Sequence, residues 1–165
     1  MIINKETIYT RDQANKKIKV AREFDAPPEK VWKAWTEKEL LDQWWAPRPW
    51  KAVTQSMDFR NGGTWLYYMQ GPDGKKQYCR ADFKSVVPNK SYEGTDAFCD
   101  EKGNITTDFP RTNWKVRFSN GDDGTKVDVE LSFASEADMN KFLESGFEEG
   151  FAMAHNNLDE LLAKM

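Results

Sequence analysis

The sequence is poor in the residues that most enzyme chemistry uses. It has one histidine, His155, which leaves no second imidazole and no histidine-based metal cluster. Its two cysteines, Cys79 and Cys99, have a spacing that suits neither a zinc knuckle nor a redox pair, and they read as ordinary reduced thiols. No G-x-S-x-G elbow is present, which argues against an α/β-hydrolase. No glycine-rich phosphate loop follows a strand and opens a helix; Gly62-Gly63 lies between strands and reads as a tight turn. Neither a metal nor a cofactor is therefore expected. No apolar run approaches the ~20 residues needed to span a bilayer. The start of the chain, MIINKETIYTRDQANKKIKV, lacks the apolar stretch of a secretory signal, so a cytoplasmic protein is expected. The net charge of -3 and pI of about 5.3 argue against nucleic acid, whose affinity comes mostly from phosphate neutralisation.

Aromatic surface is what the chain has in excess. Trp, Tyr and Phe make up 13% of the residues, with seven tryptophans, in a chain whose mean hydropathy is -0.81. The apolar surface is thus concentrated in a few large side chains, each able to bury about 150–250 Å². The densest stretch is WWAPRPW, residues 44–50, which is too rich in proline for regular helix or strand. It reads either as the rim of an apolar cavity or as a rigid plug in the open end of a sheet.

At 165 residues the chain is expected to form one domain, with a polar arm over residues 1–15. From Lys17 to Phe24 residues alternate, with Ile18, Val20 and Phe24 on one face, which predicts a half-buried strand. Arg22 falls on that apolar face, either snorkelling out at the strand end or placing a cation in a pocket. Pro27 and Pro28 pre-set the entry to a short helix carrying Val31, Trp32 and Trp35. Thr36 and Glu39 form a T-x-x-E capping box for a second short helix, which Pro47 stops.

Strand-like segments follow, at 51–59, 64–70, 78–87 and 91–99. The last hairpin is the clearest. Trp114, Val116 and Phe118 alternate with Lys115 and Arg117, then Val127, Val129, Leu131 and Phe133 alternate with polar residues. Such sidedness means antiparallel strands with one wet face. From about Glu136 the period changes from two to 3.6. Ser135 and Asp138 make a capping signal, and the stripe from Met139 to Leu162 predicts one amphipathic helix of roughly 25 residues. A sheet with one apolar face needs a cover, and this helix is the element large enough to supply it.

The stretches REFDAPPEKVWKAWTEKELLDQWW and DFRNGG and the GF-x3-GF-x6-L-x2-L helix end resemble, in order and spacing, the SRPBCC (START-related, helix-grip) superfamily. More closely they resemble its branch named for the activator of the heat-shock chaperone ATPase. The resemblance covers about residues 17–163 and implies an α+β helix-grip fold. Its curved antiparallel sheet, of about six or seven strands, wraps around the long C-terminal helix, with two short helices after the first strand and a cavity between sheet and helix. Members of the superfamily bind lipids, polyketides, flavonoid-like compounds or hormones, and some are cyclases.

Inward positions are candidates to line that cavity. On the sheet these are Trp65, Tyr67, Phe83, Trp114 and Phe133; on the helix, Phe147, Phe151 and the flanking His155; after the short helices, Trp45. Plain core packing is the alternative for each ring. Glu93 and Asp96 lie on a strand of unclear facing. An inward Glu93 would have a raised pKa and could anchor a ligand or transfer a proton. Gly146, Gly150 and Ala154 recur every four residues along the buried stripe. They allow either close approach of helix to sheet or room for a guest.

The leading expectation is binding of a hydrophobic, aromatic or lipid-like small molecule, by a monomer or weak homodimer. A module that binds a chaperone or other protein through the tryptophan loop is the second reading. A cyclase or hydrolase using Glu93, Arg22 or His155 is the third.

Overall fold

The computed structural model describes residues 4–165, so the first three residues of the expected N-terminal arm lie outside the described residues. The chain runs through β1 (Ile8–Asp12), β2 (Lys17–Phe24), α1 (Pro28–Thr36), α2 (Lys38–Trp44), β3 (Lys51–Met57), β4 (Thr64–Gln70), β5 (Lys76–Val87), β6 (Ser91–Phe98), β7 (Thr112–Asn120), β8 (Thr125–Ser132), α3 (Glu136–Glu144) and α4 (Phe147–Lys164). All eight strands form one antiparallel sheet in the order β1-β2-β8-β7-β6-β5-β4-β3. The helices α1 and α2 carry the chain from β2 across to the far edge, where β3 begins. The α+β helix-grip architecture is therefore present, with α4 against the apolar face of the sheet.

Three details differ from the sequence-based expectation. The sheet has eight strands rather than six or seven, because part of the polar arm folds back as β1, pairing Ile8 with Ala21 and Asp12 with Lys17. The expected single helix is two. Gly146, with φ +85°, turns the chain between α3 and α4, a conformation that glycine adopts without steric cost. The capping box at Thr36 does not form either. Thr36 is the last residue of α1, where its hydroxyl donates to the Trp32 carbonyl at 2.7 Å, and α2 starts after Glu37 with no side-chain cap. The signal at Ser135 does form, since its Oγ accepts from the Asp138 amide at 3.1 Å.

Irregularities in register bend the sheet. β3 shifts between Thr54 and Ser56, and β5 between Phe83 and Ser85. A bulge of this kind sharpens local twist and curvature. Opposite the second shift stands Gly94, where a Cβ would fall 2.4 Å from the Asp82 carbonyl oxygen. Only glycine lets β6 approach β5 so closely.

The tryptophans organise the interior. Trp35 of α1 packs edge-on against Trp44 at 4.8 Å between ring centroids, against Trp45 and Phe118 at 6.0 Å, and against Phe151 of α4 at 6.3 Å. Such edge-to-face pairs add to the area they bury. The WWAPRPW stretch is neither all rim nor all plug. Trp44 and Trp45 are buried, whereas Trp50 is exposed and lies against Gly71. Trp44 also satisfies an orphan carbonyl at the end of α1, donating from Nε1 to Ala34 at 2.8 Å.

Replacing Trp44 with Phe keeps most of the packing but leaves the Ala34 carbonyl without its donor. We expect a loss of about 1–3 kcal/mol in the denaturant-unfolding free energy. Trp44→Ala should cost about 3–5 kcal/mol. An unchanged midpoint for the Phe variant would show that the indole N–H contributes nothing to the junction of the short helices.

Candidate functional site

Strand alternation places Tyr67 and Met69 of β4, Cys79 of β5, Asp96 of β6, and Thr112 and Trp114 of β7 on one concave surface. Opposite stand Phe147, Gly150 and Phe151 of α4. Because the chain turns at Gly146, α3 folds back and sets Phe142 beside Phe147, with ring centroids 4.6 Å apart. Trp45 closes the inner end. These groups enclose a cavity of about 260 Å³. Its mouth lies among Pro47, Phe109, Pro110, Ser145 and Gly146, of which Ser145 and Gly146 are exposed. A smaller cavity of about 20 Å³ lies deeper, lined by Trp65, Ala81, Phe83 and Tyr92 among others. Trp45, Asp96 and Trp114 line both.

Few polar atoms reach this lining. The Tyr67 hydroxyl accepts a hydrogen bond from Trp45 Nε1 at 3.0 Å. Burial raises the Tyr67 phenol well above its ordinary range and pushes the Cys79 thiol up to about 12, so the sulfur stays protonated at neutral pH and is no nucleophile. The Trp114 indole N–H is buried without a partner. Asp96 is the exceptional group. Burial first, and the charge of Asp82 second, push its carboxyl from the usual 3.8 up to about 8, and no hydrogen bond or cation opposes the shift. The nearby Arg80 is committed elsewhere: it pairs with Asp82 at 2.7 Å and donates to the Gly103 carbonyl at 2.6 Å.

Five sequence-predicted residues meet around the larger cavity: Trp45, Tyr67, Trp114, Phe147 and Phe151. Trp65 and Phe83 line the smaller one. The others lie elsewhere. Glu93 pairs in register with Lys115 and Ser85, so it faces away from the cavity and is corrected to an outward residue. Phe133 is buried against Phe142, at 5.2 Å between rings, but lines neither cavity. His155 is packed in the solid part of the core, 4.1 Å from the Phe151 ring. Its Nδ1 meets the Thr7 hydroxyl at 3.2 Å, and burial, then the Arg22 charge, lower its pKa to about 3. Arg22 is buried too, and it pairs with Asp159 of α4 rather than facing a pocket.

Sequence reasoning left Asp96 unassigned and missed Thr112, Phe109 and Phe142. The signal for Asp96 was the register: Tyr92, Gly94 and Asp96 alternate, and Asp96 stands opposite both Ala81 and Thr112. Gly94 and Asp96 interrupt the apolar pattern of the inward face of β6, which hid that alternation. Among the described residues, no group of three or more His, Cys, Asp or Glu side chains could hold a metal ion. No described helix is long and apolar enough to cross a membrane.

Residues 25–163 match the family model of the Activator of Hsp90 ATPase homolog 1-like protein. Among solved structures, a Mycobacterium smegmatis protein is similar over 95% of this chain and 97% of its own, with 29% identity and a TM-score of 0.88. An Arthrobacter aurescens protein shares 30% identity over 96% of this chain and 92% of its own, with a TM-score of 0.89. One from Nitrosomonas europaea shares 27% identity over 92% of this chain and 96% of its own, with a TM-score of 0.80. No curated protein matches the sequence.

The raised pKa of Asp96 makes stability depend on pH with a definite sign. The unfolded chain ionises this carboxyl near 3.8 and the folded protein near 8. Its favourable contribution is complete below about pH 4 and is lost as pH rises to about 8. Asp96→Asn removes the titration. Relative to its value at pH 4, the unfolding free energy of the variant should exceed that of the native protein by about 2–5 kcal/mol at pH 8. Thermal melts across that range test this, and parallel pH profiles for the two proteins would contradict it.

Proposed function

The chain belongs to the family of Activator of Hsp90 ATPase homolog 1-like proteins, and on that premise we propose that it binds a hydrophobic, ring-containing small molecule between the sheet and α4. The observation that carries this reading is the cavity of about 260 Å³, walled by Trp45, Tyr67, Trp114, Phe147 and Phe151 and reachable past Ser145 and Gly146. Apolar walls with a few convergent polar tips are the usual composition of a small-molecule site. Gly150 supports the same reading. A glycine inside a helix costs about 1 kcal/mol against alanine, yet a Cβ there would meet only Pro47, at an ordinary 3.6 Å. Its missing side chain therefore leaves space instead of relieving a clash.

The two other readings find less support. Binding a partner protein through the tryptophan loop needs Trp44, Trp45 and Trp50 in one exposed patch, and two of the three are buried. Catalysis by Arg22, Glu93 or His155 needs those groups at the cavity, and none lines it. Binding rather than turnover is the function the geometry favours.

A guest of about 20 heavy atoms, at about 0.3 kcal/mol per atom, would bind with a Kd of tens of micromolar. Titrating the native protein with flavonoids and fatty acids should give saturable quenching of tryptophan fluorescence by at least one class. In Gly150→Met the added side chain would occupy the cavity, so quenching should disappear while the thermal midpoint holds or rises. The absence of saturable quenching by any class in the native protein would overturn the reading.

A further inference from the structure

The polar lining of the cavity is chemically one-sided. Asp96 presents a carboxyl to it, and no Lys, Arg or His lines either cavity. The titratable groups close enough to sense Asp96 are Tyr67 on β4, Cys79 and Asp82 on β5, and Tyr92 on its own strand. None can carry a positive charge. From α3 and α4 the cavity meets only Phe142, Ser145, Gly146, Phe147, Gly150 and Phe151. Thr112 and Trp114 face it from β7. Among the described residues this carboxyl has neither a hydrogen-bond partner nor a cation, and an unpaired polar group in an apolar setting is costly.

We propose that the cavity selects apolar guests that carry a basic amine, with the ammonium group held by Asp96. This deepens the small-molecule reading above and rests on it. The complement of an unpartnered carboxylate is a donor with positive charge, because charge-assisted hydrogen bonds are roughly twice as strong as neutral ones. The walls favour the same charge: indole, phenol and phenyl faces carry negative quadrupole density and attract cations. An anionic guest would meet Asp96 as a like charge in a largely apolar site. A hydroxyl guest would satisfy the carboxyl without supplying the counter-charge. A guest that enters as its ammonium ion favours ionised Asp96, whose proton is released to solvent, so the ion pair forms even where the empty site holds a neutral acid.

Three probes that share one ring system and differ at one terminal group separate these cases: 2-(1-naphthyl)ethylamine, 2-(1-naphthyl)ethanol and 1-naphthylacetic acid. Isothermal titration calorimetry of the native protein at pH 8 should show the amine binding roughly tenfold or more tighter than the alcohol, with the acid weakest. In Asp96→Asn the amine should fall to within about twofold of the alcohol, because the counter-charge that separates them is gone. The variant's fold is checked by its thermal midpoint, and the comparison within the native protein stands without the variant. Equal binding of amine and alcohol, or tighter binding of the acid, overturns the amine selectivity while leaving the apolar cavity as a binding site. A preference for the amine that survives in Asp96→Asn overturns the role of Asp96. Binding of none of the three overturns this inference, and the reading beneath it falls with it only if flavonoids and fatty acids also fail to quench.

Discussion

The concave face of the sheet is covered because α4 lies in it, and most of the molecule is arranged around that contact. Phe151, Ala154, Leu158, Leu161 and Leu162 are buried along one side of the helix, in one core cluster with strand residues such as Val116, Val129 and Leu131. Each large apolar side chain so buried contributes about 1.5–3 kcal/mol. Polar ties fix the helix along its length. At its start, the Tyr9 hydroxyl donates to the Glu148 carbonyl at 2.6 Å and Arg11 pairs with Glu148 at 2.7 Å, both from β1. At its middle, Asn157 donates to the Ala46 carbonyl at 3.2 Å, holding the segment after α2. Near its end, Asp159 pairs with Arg22 of β2. The edge strand, the short helices and the central sheet therefore all register on one rod.

The two halves of that rod are packed differently, and the difference creates the site. Around Ala154, His155 and Leu158 the space is filled by Phe24, Trp35 and Trp44. Around Gly146 and Gly150 the helix offers no side chain, and the facing rings of Trp45, Tyr67 and Trp114 are too large and rigid to close the gap. Native cores reach crystalline density by mixing large and small residues across facing positions. Here the small positions cluster on one turn of helix and the large ones on the strands opposite, so the void lies at one end. Gly146 contributes twice, since its left-handed turn also brings α3 back to form the side of the mouth.

Much of this was legible beforehand, and the failures have local causes. Clean alternation made β7 and β8 readable, because one of their faces is dry and the other wet. The period of 3.6 revealed the helical cover but not its break, since Phe142, Phe147 and Phe151 keep the apolar spacing across Gly146. β1 was hidden because it is a mostly polar edge strand that buries little. The box at Thr36 failed because the threonine hydroxyl found a carbonyl one turn back in its own helix. At the site, the rings were found by facing alone, whereas Phe109 and Phe142 needed the tertiary folding of a loop and of α3. His155 lies one helical turn beyond the cavity: it follows the stripe below Phe151, into the part of the core that is solid.

Asp96 is the residue least accounted for by folding. The protein holds another partly buried carboxyl, Asp159, and the contrast between them is informative. Burial raises both, but Asp159 is opposed by the hydrogen bond and charge of Arg22. Where structure alone is at stake, this chain provides a buried carboxylate with a cation. At Asp96 the hydrogen-bonding capacity is directed into an apolar space and left open, and Arg80 of the neighbouring strand is spent on the outer face with Asp82. Packing gives no reason for an acid at that position, since an apolar side chain would suit its neighbours Ala81 and Trp114 and would avoid the desolvation penalty. A group that burdens the fold in this way, at the wall of an accessible cavity, is the observation on which the proposed selectivity for an amine rests.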